Sequence, residues 1–113
     1  MRVELLYVES DPNYMTARQR LVEVLTEDAF ETTIQMVAIN SQADADLLGF
    51  IGSPTIRIDG VDILPTDGPG FLGTRTYPAD EDPEGPRTQP VPGKRLIRRA
   101  VERARGWGHG RRE

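Results

Sequence analysis

The chain has 113 residues, 37% hydrophobic and 28% charged, which fits one domain with one modest core. Fourteen Lys and Arg against 18 Asp and Glu give a net charge of -4, which disfavours strong whole-chain attraction to nucleic acid or anionic lipid. With no cysteine and one histidine, disulfides, thiol nucleophiles, dithiol redox chemistry and zinc sites built on thiolates or several imidazoles are excluded.

The first nine residues are apolar in patches, but Glu4 and Glu9 interrupt them, so no signal-peptide run forms. The longest apolar run elsewhere, residues 47–51, is far too short to cross a bilayer and contains Gly49. A cytoplasmic protein without membrane attachment is the expectation. Charge is unevenly placed. Residues 93–113 carry eight basic groups against two acidic ones, net +6, and residues 1–92 carry net -10. The basic end reads as a solvated helix face drawn to the acidic body. The sharper alternative is a docking patch for an acidic partner or RNA. Only Trp107 interleaves with the arginines, which disfavours RNA.

In chain order, residues 2–8 are rich in Val, Leu and Tyr and read as a buried strand. Ser10-Asp11-Pro12 reads as a helix start, with Asp11 capping free N–H groups and Pro12 in the first helical position. Tyr14, Ala17, Leu21, Val24 and Leu25 then share one helical face, to about Glu27 or Asp28. Residues 32–39 are β-branched and apolar and predict a second strand. Ser41 caps a short helix through Leu48, which Gly49 ends. Two short strands, residues 55–58 and 61–64, flank Asp59-Gly60, the strongest hairpin signal in the chain.

From Pro65 to Gly93 the pattern breaks down. Twelve of these 29 residues are Pro or Gly. A long loop is the expectation, either a functional excursion or a mobile one with mobile slightly favoured, and Phe71, Leu72 and Tyr77 are candidate anchors to the core. Helical periodicity returns at Lys94, with Ile97, Ala100, Val101 and Ala104 on one face. Glycines at 106, 108 and 110 then dissolve the end. The boundaries are a domain over residues 1–106, including the 65–93 loop, and a flexible basic tail over 107–113. The fold class is α/β, with a four-stranded mixed sheet in the order β-α-β-α-β-β-α and helices on both faces.

This order and two local motifs resemble the thioredoxin-like superfamily. The first motif is Ser10-Asp11-Pro12-Asn13-Tyr14 at the junction of the first strand and first helix. The second is Gly52-Ser53-Pro54-Thr55-Ile56-Arg57-Ile58-Asp59-Gly60. Within the superfamily the chain is similar to small bacterial glutaredoxin-like and alkylmercury-lyase-like proteins, over about residues 2–64 and the final helix. The resemblance implies a cis Ser53–Pro54 bond. It also implies that Asp11 and Tyr14 stand at the two positions of a Cys-x-x-Cys motif, and that Thr74 stands where some relatives carry a further loop cysteine.

Family activity does not follow. Thiol–disulfide exchange needs an attacking thiolate and a leaving sulfur, and carbon–mercury cleavage needs soft sulfur ligands. What the resemblance leaves is recognition. The expected function is a redox-inactive thioredoxin-fold protein that binds a peptide or partner protein beside the cis-proline. The groove would be built from Ser10, Asp11, Tyr14, Ser53, Pro54 and Thr55.

Two alternatives stand beside it. One is a glutathione-dependent transferase or isomerase using Ser10 or Tyr14, with glutathione as the small-thiol partner. The other is an accessory subunit docking through the basic C-terminal helix. No catalytic residue, metal site or resident cofactor is assigned. Each candidate also has a plain structural role: Asp11 as a cap, Ser10 as a turn former, Tyr14 as core, and Arg57 and Arg75 as solvated charges. His109 reads as a solvated tail residue, and Asp44 and Asp46 as a solvated helix face.

Overall fold

A computed structural model describes residues 1–106; Trp107, His109 and the expected tail over 107–113 lie outside the described residues. The elements follow in the order β1 (Val3–Tyr7), α1 (Tyr14–Glu27), β2 (Ile34–Ala38), α2 (Gln42–Leu48), β3 (Thr55–Ile58) and β4 (Val61–Asp62). They close with β5 (Tyr77–Pro78), β6 (Thr88–Gln89) and α3 (Lys94–Ala104). The protein is α/β. Its four-stranded mixed sheet has the order β2-β1-β3-β4, and β5 and β6 form a separate ribbon. Strand β1 is central: Leu5 lies opposite Met36 of β2 in parallel register and opposite Ile56 of β3 in antiparallel register. No described helix is long and apolar enough to cross a membrane.

Strand alternation divides the core. Leu5 and Leu6 are neighbours in β1 but point to opposite faces of the sheet. Leu5 joins Leu21 and Val24 of α1, Ile56 of β3, and Ile97 and Val101 of α3 in one buried cluster. Leu6 joins Ile39, Ala45 and Phe50 in a second. Helices α1 and α3 therefore cover one face, and α2 covers the other.

Local signals set several boundaries. Ser41 Oγ accepts the Asp44 N–H at 3.0 Å, and Gly49 ends α2 in the left-handed region with φ 64°. Asp59 and Gly60 both take positive φ, as a tight two-residue turn requires. Several boundaries differ from expectation, including those of β1 and β2, which are one or two residues shorter at each end. Helix α1 starts at Tyr14 rather than at Pro12, because Asp11 uses its carboxylate on the Asn13 N–H at 2.9 Å and makes a turn before the helix. Strand β4 ends at Asp62, two residues early.

The sequence leaves residues 65–93 open between a functional excursion and a mobile loop, and the structure gives the segment a defined path. It carries the β5–β6 ribbon and buries Tyr77, Ala79 and Val91 in or against the core. Tyr77 is 1% exposed and anchors it by its side chain, whereas Phe71 and Leu72, 51% and 38% exposed, are held by their backbone N–H groups, which donate to Phe50 O at 2.8 Å and Gln42 Oε1 at 3.3 Å.

Part of the basic end is answered within the chain. Lys94 pairs with Glu27 at 2.8 Å and Glu23 at 3.5 Å, and Arg98 with Glu27 and Asp28. The hydrogen bond from Lys94 holds the Glu27 carboxyl below its ordinary value, and the same contact raises Lys94.

Candidate functional site around Ser53 and Pro54

The turn after β1 and the segment before β3 meet at a buried hydroxyl–carboxylate pair. Ser53 Oγ donates to Asp11 Oδ2 at 2.7 Å and accepts the Val8 N–H at 3.1 Å. The other Asp11 oxygen accepts the Asn13 N–H, and the Asp11 N–H donates to Val8 O at 2.9 Å. Ser53 is fully buried and Asp11 is 3% exposed. Both carboxylate oxygens are therefore satisfied away from water, and neither Asp11 nor the Ser53 hydroxyl is presented to solvent.

The Ser53–Pro54 peptide bond is cis, the isomer the motif leads one to expect. Tyr14 is half-buried and stacks on Tyr7, with ring centroids 4.2 Å apart and an interplanar angle of 18°, a packing arrangement worth about 0.5–1.5 kcal/mol beyond area burial. Ser10 is exposed; Pro54 and Thr55 are buried.

A second polar cluster lies on the other side of Pro54, and sequence reading missed it. Arg75, read as a solvated charge, has a side chain only 7% exposed. Its guanidinium donates to Asp62 Oδ2 at 2.7 Å, to Thr55 Oγ1 at 3.2 Å and to Leu64 O at 2.9 Å. It also lies over the Tyr77 ring, 4.7 Å from the centroid. The Tyr77 hydroxyl donates to the Pro54 carbonyl. Burial pushes the Tyr77 hydroxyl well above its ordinary value; Arg75 opposes this, and Asp62 and Asp11 add to it. The signal available in the sequence was the Arg-x-Tyr pair at 75 and 77, which carries no local periodicity to mark it as inward-facing. Arg57 caps α2 instead, donating to Leu48 O at 2.8 Å.

These two clusters hold a short strap, residues 73–75, against the sheet. The Ser53 N–H donates to Gly73 O at 2.7 Å, and the Arg75 N–H donates to Ser53 O at 3.0 Å, so Ser53 and Thr74 form a parallel bridge. The backbone edge beside Ser53 is thus occupied by the chain itself. In a parallel bridge of this kind, the residue between the two bonded groups turns its own N–H and C=O the other way. Thr74 is exposed, and neither of its backbone groups is bonded among the described residues. The bridge brings Thr74 to Ser53, and Ser53 in turn bonds Asp11.

Close approach of the strap requires Gly52. It has φ 129°, and a Cβ there would meet Arg75 Cβ at 2.9 Å and the Arg75 nitrogen at 3.1 Å. Gly52→Ala is expected to cost about 1–3 kcal/mol from backbone conformation alone, with steric displacement of the strap in addition. Urea denaturation measures the loss, and faster amide exchange at Arg75 locates it.

Among the described residues no three His, Cys, Asp or Glu side chains converge as metal ligands. No protein-family model matches the chain, and neither a curated protein nor a solved structure matches it.

Proposed function

We propose that this chain is a redox-inactive thioredoxin-fold protein that recognises an extended peptide segment of a partner at the outer edge of the 73–75 strap, beside Pro54. The strand order β2-β1-β3-β4, with β1 and β2 parallel and the other pairs antiparallel, supports the thioredoxin-like reading. So does the division of helices, two on one face and one on the other. Absence of sulfur removes exchange chemistry, and the closed Asp11–Ser53 pair offers no replacement for it.

The observation that carries the reading is the unpaired edge of Thr74. It presents one N–H and one C=O outward, next to the exposed Phe71 and Leu72. An added strand would take its hydrogen bonds from that edge and its apolar contacts from those two side chains. Met15, 54% exposed in the first turn of α1, adds apolar surface at the Asp11 end. The proposed contact residues are thus Thr74, Phe71, Leu72 and Met15, supported from beneath by Ser53, Pro54 and Asp11.

The test is to select binders from a random-peptide display library and map them by amide exchange and chemical shifts. Selected peptides should slow exchange at Thr74. The double variant Phe71→Ser/Leu72→Ser should weaken them by about tenfold or more, since each side chain contributes about 1.5–3 kcal/mol when buried. Binders that leave Thr74 unprotected, or that ignore the double variant, would refute the reading.

A further inference from the structure

A cleft of about 510 Å3 lies between the 78–83 segment and the start of α3, apart from the Ser53 site. Its floor is apolar, from Leu64, Pro78, Ala79 and Leu96. Its rim is cationic: Arg20, Lys94, Arg95 and Arg99 line it against a single carboxylate, Asp80. A volume of this size suits a small organic molecule.

The four cations differ in what they already hold. Arg20 donates to Pro92 O at 3.0 Å and lies 3.9 Å from Asp80. Lys94 is paired with Glu23 and Glu27. Arg95 and Arg99 are exposed and have no hydrogen bond or ion pair among the described residues. Four residues apart on α3, their side chains are neighbours on one helical face at the mouth of the cleft. The Asp80 carboxylate lies close to Gly93 at the start of α3, where an added Cβ would meet Asp80 Oδ1 at 1.7 Å, but it makes no capping hydrogen bond to the helix.

The geometry points to a binding site for an amphiphilic organic anion, whose carboxylate or phosphate head is held by Arg95 and Arg99 and whose apolar body fills the floor. A bare inorganic anion would leave the apolar floor unused. A neutral apolar molecule would leave two guanidinium groups at the rim without their matching charge. Planar guanidinium forks pair with carboxylate and phosphate alike, so both heads satisfy the same chemistry.

The experiment titrates the full chain with octanoate, octyl phosphate, octanol and acetate, all below micelle-forming concentrations, and follows backbone amide shifts. At least one of the two amphiphilic anions should shift residues 78–83 and 93–99 saturably, and the tighter one assigns the head group. Octanol and acetate should bind at least about tenfold more weakly. The double variant Arg95→Gln/Arg99→Gln should reduce the anion's affinity by about tenfold or more while leaving the unfolding midpoint unchanged, because both side chains are solvent-exposed. The proposal is overturned by octanol binding as tightly as the anions, by an unaffected double variant, or by no saturable shift in those segments. None of these outcomes bears on peptide recognition at Thr74, which is read from different amides.

Discussion

Arg75→Ala should lower the unfolding free energy by about 3–5 kcal/mol, the range for removing one partner of a buried ion pair. The side chains of Arg75 and Asp62 are 7% and 15% exposed, so solvent screens the pair little. Removing the guanidinium leaves the Asp62 carboxylate without its cation and the Leu64 carbonyl without its donor. It also removes the cation over the Tyr77 ring. The main cost is therefore an uncompensated buried charge rather than a lost attraction. The double variant Arg75→Met/Asp62→Leu should accordingly recover much of the loss, because replacing both partners by apolar groups removes the desolvation penalty. Urea denaturation of the three proteins checks this. A single variant that costs under 1 kcal/mol would show that Arg75 is solvated in solution.

Raising the pH through 10 should destabilise the fold, and Tyr77 should be the reason. Burial disfavours its phenolate, so its folded value is raised above the ordinary 10.0 it has in the unfolded chain. For a group shifted upward, the folded state retains the proton that the unfolded state releases. Its contribution is intact below pH 10 and is lost as the pH rises above it, at up to about 1.4 kcal/mol per pH unit. Tyr77→Phe separates this from the titration of other groups. The variant should be weaker at pH 7 by about 1–3 kcal/mol, since the buried Pro54 carbonyl loses its donor. It should also show a shallower alkaline decline than the parent. Urea midpoints between pH 7 and 11 give both quantities, and tyrosinate absorbance should report the Tyr77 phenolate only on unfolding. Parallel declines in parent and variant would assign the alkaline sensitivity elsewhere.

The two polar clusters explain why residues 65–93 adopt structure despite their composition. Pro and Gly remove local propensity for helix or strand, so nothing within the segment predicts its path. The path comes from the partners it meets. Tyr77 reaches Pro54, Arg75 reaches Asp62 and Thr55, and Gly73 reaches Ser53. The apolar cleft at α3 exists for the same reason: Pro78 and Ala79 line it from one side of the fold and Leu96 from α3.

Exposure that depends on such contacts is not legible in the amino-acid order. Arg75 reads in the sequence as solvated and its side chain is enclosed, while Phe71 and Leu72 read as candidate anchors and their side chains face solvent. Asp11 reads in the sequence as a helix cap. It caps only the turn at Asn13, because its second oxygen answers a hydroxyl 42 residues away.

Features decided within a few residues were legible from the amino-acid order alone. Ser41 and Gly49 bound α2, Asp59-Gly60 makes the turn, the spacing of Leu21, Val24, Ile97 and Val101 marks two inward helix faces, and the lack of cysteine rules out thiol chemistry. Capping, turn geometry and helical period act over one or two turns of chain, and elemental composition needs no fold at all. Only the tertiary structure decided that the edge beside Ser53 is taken by residues 73–75, that Arg75 lies inside, and that Arg95 and Arg99 border an apolar cleft. Each of those outcomes depends on which distant segments pack together, and a Pro- and Gly-rich segment carries no local pattern that fixes its neighbours.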